Sequence, residues 1–213
     1  EKNSLIENHI ISPALAKRAD GAFLLSHDQK VSVMINEEDH IRIQTIEDGL
    51  SLKDCWNLSN KVDDILEEKL DYAFDRELGY ITACPTNVGT GMRASVMLHL
   101  PALSITNQVD KLMYGVSQLG VAVRGVYGEG TKSVGHLYQI SNQGTLGSSE
   151  QALIDKITQI VNQIIDKEKS TREHLMKNNH DELEDDFYRA YGLLTYARKM
   201  SVDEAMKLLS LIK

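Results

Sequence analysis

Two short runs, Val31–Ile35 and Ile41–Thr45, alternate in the manner of β-strands and are separated only by residues 36–40, Asn-Glu-Glu-Asp-His. Period-two alternation puts one side of a strand into a core and the other into water. The short interval predicts a hairpin-like connection between neighbouring antiparallel strands. Glu37, Glu38, Asp39 and His40 therefore crowd the mouth of a half-buried sheet. Negative charge concentrated in such a place calls for a cation, either a metal ion or a guanidinium. The hairpin alone leaves that choice open.

The remaining chain bounds the answer. Its 213 residues suffice for one well-buried domain with a small appendage. The composition, 42% hydrophobic and 25% charged, is that of an ordinary water-soluble protein. A formal net charge of −8 argues against a nucleic-acid backbone as the main ligand and is compatible with a basic, arginine-rich partner. There is no apolar run of membrane-spanning length and no charged-then-apolar leader, so neither a membrane nor export is expected. Cys55 and Cys84 form neither a zinc spacing nor a disulfide framework, and reduced cytoplasm is the natural setting. A start at Glu1 and a stop at Lys213 inside an apparent helix suggest a piece of a longer protein.

Further strands are predicted at 21–25, 80–83, 92–100, 121–126 and 137–140. Helices are predicted from Ser51 to about Phe74, opened by a Ser51-x-x-Asp54 cap, and over 105–119, ended by Gly120. A long helix follows a Ser148-x-x-Gln151 cap, with Leu153, Ile157, Ile160, Val161, Ile164 and Ile165 on one stripe. Residues 167–186, dense in charge, read as its solvated end plus a linker. Two more helices follow at 187–200 and 201–212, the second opened by a Ser201-x-x-Glu204 box. Strands broken by helices point to an α+β fold, a mainly antiparallel sheet flanked by helices, with a helical C-terminal segment.

Two other motifs decide between metal and guanidinium. They are Cys-Pro-Thr-Asn-Val-Gly-Thr-Gly-Met-Arg at 84–93 and Val-Arg-Gly-Val-Tyr-Gly-Glu-Gly-Thr at 123–131. With the acidic hairpin, in this order, they resemble the phosphagen (ATP:guanido) kinase family, from about Glu7 to the end of the chain. The resemblance implies a catalytic domain of the glutamine-synthetase-like kind over 1–178 and an incomplete helical segment over 179–213. The two helices after residue 180 resemble an extension of the bacterial protein-directed branch, whereas creatine and metabolite arginine kinases end near the long helix.

A guanidinium is a poor nucleophile, with a pKa above about 12 and delocalised lone pairs. Its phosphorylation needs carboxylates that pin its nitrogens and take a proton, and cations that hold the phosphates. The resemblance assigns Glu38 as base and clamp, and Glu129 as a second clamp. Arg42, Arg93 and Arg124, one from each motif, match the phosphate-binding arginines. Cys84 matches a thiolate of lowered pKa that helps hold the guanidinium. Gly89 and Gly91 suit a phosphate-facing turn, and the glycines around Glu129 suit a loop that closes over substrate. Without the family, the same residues read as a solvated acidic loop, surface arginines, an inert cysteine and an ordinary hairpin. Paired glutamates could also hold a metal, although only His40 stands nearby.

The family's N-terminal region, with its serine–arginine–arginine segment, has no counterpart in these residues. A histidine that stacks on adenine in many members is Met97 here, and the other stacking histidine corresponds to His9. The implied activity is transfer of the ATP γ-phosphate to arginine side chains of proteins, with Mg2+ bound through the nucleotide and no protein metal site. The family setting adds stress response, a Clp-type protease, a zinc-binding activator protein and, as one assembly, a homodimer. The alternatives are a small-molecule guanidino (arginine) kinase and a non-catalytic adaptor of the same fold.

Overall fold

The structure, a computed structural model, describes residues 2–125 and 134–213. Two compact units are present, one of residues up to 93 with 144–154, the other of 94–143 with 155–213. The fold class is as expected: antiparallel sheets flanked by helices.

The first unit opens with α1 (Lys2–Glu7) and α2 (Pro13–Lys17). Pro13 starts α2 without losing a needed N–H, and the Ser12 hydroxyl accepts the Leu15 N–H at 3.0 Å. Strands β1 (Ala22–Leu25), β2 (Val31–Ile35) and β3 (Ile41–Thr45) follow in an antiparallel sheet of that order. Ile35 faces Ile41, and the turn closes with Asn36 N–H donating to the His40 carbonyl at 3.0 Å. Ile10, Ile11, Leu15 and Met34 form the core under this sheet, with Phe23 and Leu25 packed against it. Burying each such side chain contributes about 1.5–3 kcal/mol. α3 (Leu52–Glu67) packs on β3, where the Thr45 hydroxyl donates to the Cys55 carbonyl at 3.0 Å.

Three local expectations need correction here. Ser51 does not cap α3, because its hydroxyl donates to the Asp48 carbonyl instead. α3 also stops well short of Phe74. Tyr72 and Phe74 each set a ring edge-on to Tyr80, at 6.0 and 5.3 Å, and β4 (Phe74–Asp75) pairs with β5 (Gly79–Tyr80). Aromatic packing thus overrides helix propensity after Glu67. The strand expected at 80–83 shrinks to β5 and a bridge from Tyr80 to Gly89, and a 3-10 turn at Pro85–Asn87 follows.

The second unit contains β6 (Ser95–His99), α4 (Pro101–Ile105), α5 (Val109–Ser117), β7 (Val121–Gly125) and β8 (Leu137–Asn142). Its sheet is antiparallel in the order β6-β8-β7. The single helix expected over 105–119 is two, broken at Asn107, whose φ of 55° lies in the left-handed region. The Thr106 hydroxyl donates to the Ala102 carbonyl and helps close α4. The strand expected over 121–126 is present as far as Gly125, and Val126 lies outside the described residues.

α6 (Glu150–Asn178) begins in the first unit and continues through the second. Ser149, rather than Ser148, supplies the capping hydroxyl, to the Ala152 N–H at 3.3 Å. Ile157, Ile160, Val161 and Ile164 are buried along it, as the stripe requires. The charged stretch is no linker. α6 runs to Asn178, and only Asn179 separates it from α7 (His180–Tyr196). Within that stretch Glu168 is 4% exposed and accepts the N–H groups of Ala102 and Leu103 at 2.9 and 3.0 Å. A carboxylate there satisfies donors that open α4 and meets the positive end of its dipole. α8 (Val202–Ile212) packs against α7 and starts as expected, with Ser201 accepting the Glu204 N–H at 3.2 Å. Among the described residues, no helix is long and apolar enough to cross a membrane.

Candidate active site

The acidic turn divides its three carboxylates among three tasks. Glu37 is buried, its side chain 6% exposed, and its Oε2 accepts the Glu38 N–H at 2.7 Å and Arg42 Nη1 at 3.1 Å. Burial pushes the Glu37 carboxyl up, but the Ser12 hydroxyl, the Glu38 N–H and Arg42 together outweigh it and hold the group below its ordinary value. An ionised Glu37 therefore orients Arg42 and braces the backbone of Glu38. Glu38 itself is exposed.

Asp39 faces the other motif. Its Oδ1 accepts the Cys84 N–H at 3.0 Å and its Oδ2 accepts Asn87 Nδ2 at 2.7 Å. The turn that carries Glu38 is thereby tied to the loop that carries Cys84. Cys84 Sγ lies 3.0 Å from Thr86 Oγ1, and the Thr82 hydroxyl donates to the Cys84 carbonyl at 2.6 Å. Thr145 Oγ1 stands 2.7 Å from the Val88 carbonyl and holds the far side of the loop.

The two glycines of this loop differ in kind. Gly89 has a φ of 116°, and a Cβ there would overlap the Thr145 carbonyl, so the chain's own backbone demands glycine. At Gly91, φ is 60° and a Cβ would meet nothing nearer than 3.9 Å, which leaves room for a ligand. Arg93, exposed, follows directly. His9 is exposed at a φ of 58°, its carbonyl accepting from Gln44 Nε2 at 2.5 Å. The first unit thus holds Glu38, Arg42, Cys84, Arg93 and His9.

The second unit holds Met97 and Arg124. Gln139 of β8 pairs with Met97 of β6 on one side and with Arg124 of β7 on the other. Residues directly opposite in a ladder point to the same face, so these three form one row across the sheet. Met97 is 41% exposed, and Gln139 Nε2 donates to the Ser95 hydroxyl at 3.0 Å. Glu129 lies outside the described residues.

Sequence reasoning missed Glu37, Asp39 and Gln139 as parts of this arrangement. For the first two the signal was present, since both flank Glu38 in the same acidic run. Gln139 could be found only from strand register.

Comparison with known proteins fits this geometry. The chain belongs to the ATP:guanido phosphotransferase family, whose C-terminal catalytic domain model matches residues 1–171. Residues 180–213 match the C-terminal domain of the protein-arginine kinase McsB. Among individual relatives, the protein-arginine kinase of Clostridium kluyveri (strain ATCC 8527) is 52% identical over 211 residues, covering 99% of this chain and 61% of that protein. The protein-arginine kinases of Bacillus subtilis (strain 168) and Caldanaerobacter subterraneus subsp. tengcongensis are each 50% identical, with 99% of this chain and 58% and 63% of theirs covered. The chain therefore spans about three fifths of the length of these curated relatives. Lombricine kinase superposes with a TM-score of 0.69 at 27% identity, over 81% of this chain and 51% of that one. A duplicated taurocyamine kinase from Schistosoma mansoni with bound transition-state-analogue components gives 0.69 at 28%, over 79% and 25%.

Proposed function

We propose that the protein transfers the γ-phosphate of ATP to arginine side chains of protein substrates. The observation that carries the chemistry is the acidic turn, in which two braced carboxylates leave Glu38 as the exposed acid beside Cys84 and Arg42. Similarity of about 50% to protein-arginine kinases along nearly the whole chain supports a protein-borne acceptor.

In this reading ATP supplies the phosphoryl group, and its Mg2+ is held by phosphates and water. The fit rests on the open space at Gly91, the half-exposed guanidinium of Arg42 and the exposed Met97, in one row with the half-buried Gln139 and Arg124. Arg42, Arg93 and Arg124 hold the phosphates, while His9 and Met97 flank the adenine. Glu38 and Glu129 grip two guanidinium nitrogens and aim the third at the phosphorus. As the N–P bond forms and the bond to the leaving ADP oxygen breaks, Glu38 takes the nitrogen's proton. Cys84 helps to position the guanidinium.

We assign 1–178 to the catalytic domain and 179–213 to a helical C-terminal segment. The wider setting proposed is cytoplasmic stress response, with a zinc-binding activator, a Clp-type protease as downstream partner and a homodimer as assembly. The likeness to lombricine and taurocyamine kinases favours a second reading, a small guanidino metabolite as acceptor.

The test incubates the protein, in its full natural length, with Mg-ATP and either an arginine-rich protein or free arginine. Acid-labile, base-stable phosphate on protein arginines, lost in Glu38→Gln, supports the proposal. Phosphorylation of free arginine alone selects the metabolite kinase. Neither product, with cellular function intact in Glu38→Gln, selects a non-catalytic adaptor.

A further inference from the structure

The described residues contain a second cluster of titratable groups, away from the acidic turn. His99 ends β6, His136 precedes β8, and Ser210 lies in the last turn of α8. His99 Nε2 and His136 Nδ1 each stand 2.7 Å from the same oxygen, Ser210 Oγ. Ser210 is 7% exposed, so α8 turns a hydroxyl inward where a helix of this kind ordinarily buries an apolar side chain.

The backbone around His136 is shaped to that helix. His136 itself sits at a φ of 55°, and its carbonyl accepts the Leu100 N–H at 2.9 Å. Gly135 has a φ of 62°, and a Cβ there would come within 2.7 Å of the Met206 carbonyl of α8. Close backbone approach and a shared hydroxyl thus seat α8 on the segment that leads into β8.

A hydroxyl offers one proton and two acceptor sites. Two neutral imidazoles satisfy it, one accepting and one donating, or both donating. Two imidazolium ions would place two positive charges against one buried oxygen. Arg172 of α6 and Lys213 beyond α8 add positive charge facing His99. Glu168 is the acid facing both histidines, and it is already engaged by Arg172 Nε at 2.9 Å and by the N–H groups that open α4.

We propose that His99, Ser210 and His136 form a proton-sensitive clasp, which docks α8 on the β6-β8-β7 sheet while both imidazoles are neutral and loosens when they are protonated. Burial, with the neighbouring cations at His99, holds both groups below the ordinary histidine value of 6.5. A released helix would let them titrate normally. The docked form therefore binds fewer protons, and docking is fully favoured above that value and lost as pH falls below it. His99 shares a strand and a face with Met97, two residues away, so loosening reaches the end of the row assigned to the nucleotide. That consequence rests on the proposed function, whereas the docking itself does not.

Hydrogen exchange of the full chain without ATP tests the clasp, comparing about pH 7.5 with about pH 5.5 after correction for the intrinsic rate. Protection of residues 202–212 is expected to fall by about tenfold. Residues 109–117 of α5 should keep theirs. In the double variant His99→Gln, His136→Gln, which can hydrogen-bond but not protonate, protection should become independent of pH. Ser210→Ala should lower it at both pH values. Protection of α8 that is equal at both pH values in the wild type overturns the proposal. So does an unchanged pH effect in the double glutamine variant, or unchanged protection in Ser210→Ala.

Discussion

Asp39 Oδ1 accepts the backbone N–H of Cys84 at 3.0 Å, a bond between residues 45 positions apart that joins two of the three motifs. Its Oδ2 takes a side-chain N–H from Asn87, so one carboxylate fixes both the entry and the far end of the 3-10 turn. A carboxylate used this way is architecture. It ties the turn that carries Glu38 to the loop that carries the Cys84 thiol.

Asp39→Ala is expected to cost about 2 kcal/mol of stability, since it strands two donors that were bonded to a charged acceptor. Denaturant unfolding measures that loss. Phosphotransfer should fall by more than the folded fraction accounts for, because Cys84 is no longer held against the turn. Activity that tracks the folded fraction alone would remove Asp39 from the positioning role.

Glu37 makes a prediction about acid. Its folded carboxyl lies below the ordinary value of 4.5, so the unfolded chain binds the proton more readily. The stability this contributes is fully present above 4.5 and is lost as pH falls through that value towards the folded one. Glu37→Gln should be less stable than wild type at neutral pH by about 1–2 kcal/mol, with Arg42 left half-exposed and unpaired by it. The gap should close as the solution is acidified below 4.5. Denaturant midpoints taken across that range decide it, and a gap that is constant with pH would mean that Glu37 is not ionised in the fold.

Where local pattern and tertiary packing agree, the sequence was legible residue by residue. β2 and β3 occupy Val31–Ile35 and Ile41–Thr45, as their alternation required, and Ser201 caps α8 as its box required. Legibility ended where distant groups intervene. The end of α3 is decided by Tyr80, in another element, and Glu168 looked like a solvated charge until α4 brought its N-terminal donors to it. The acidic turn was recognised as a unit. Its division into brace, acid and tether needed hydrogen-bond partners far away in sequence. Strand register alone put Gln139 between Met97 and Arg124.

Gly89 and Gly91 separate the fold from the ligand. Gly89→Ala places a Cβ against the Thr145 carbonyl at a φ of 116°, and should destabilise by about 2–3 kcal/mol or block folding. Gly91→Ala meets open space at a φ of 60°, in the left-handed region, and should cost only about 1 kcal/mol. If a phosphate approaches the open side of Gly91, the methyl group should weaken ATP binding by more than that stability loss explains. Titration of Gly91→Ala with ATP, beside its denaturant curve, reads the two effects separately.

Gln139 is the sharper probe of the nucleotide reading, because it is no part of the acidic turn. It lies in register between Met97 and Arg124, and it donates to the Ser95 hydroxyl. Gln139→Met keeps the side chain's length and removes its polar end. One neutral hydrogen bond at a partly exposed site is worth about 1 kcal/mol, so the fold should survive. If Met97 and Arg124 face the nucleotide, the variant should raise the KM for ATP by about fivefold to tenfold while leaving the KM for the arginine acceptor near its original value. Steady-state kinetics with each substrate varied in turn measures both constants. An effect confined to the acceptor would move this row from the nucleotide to the guanidinium, and reassign Arg124 with it.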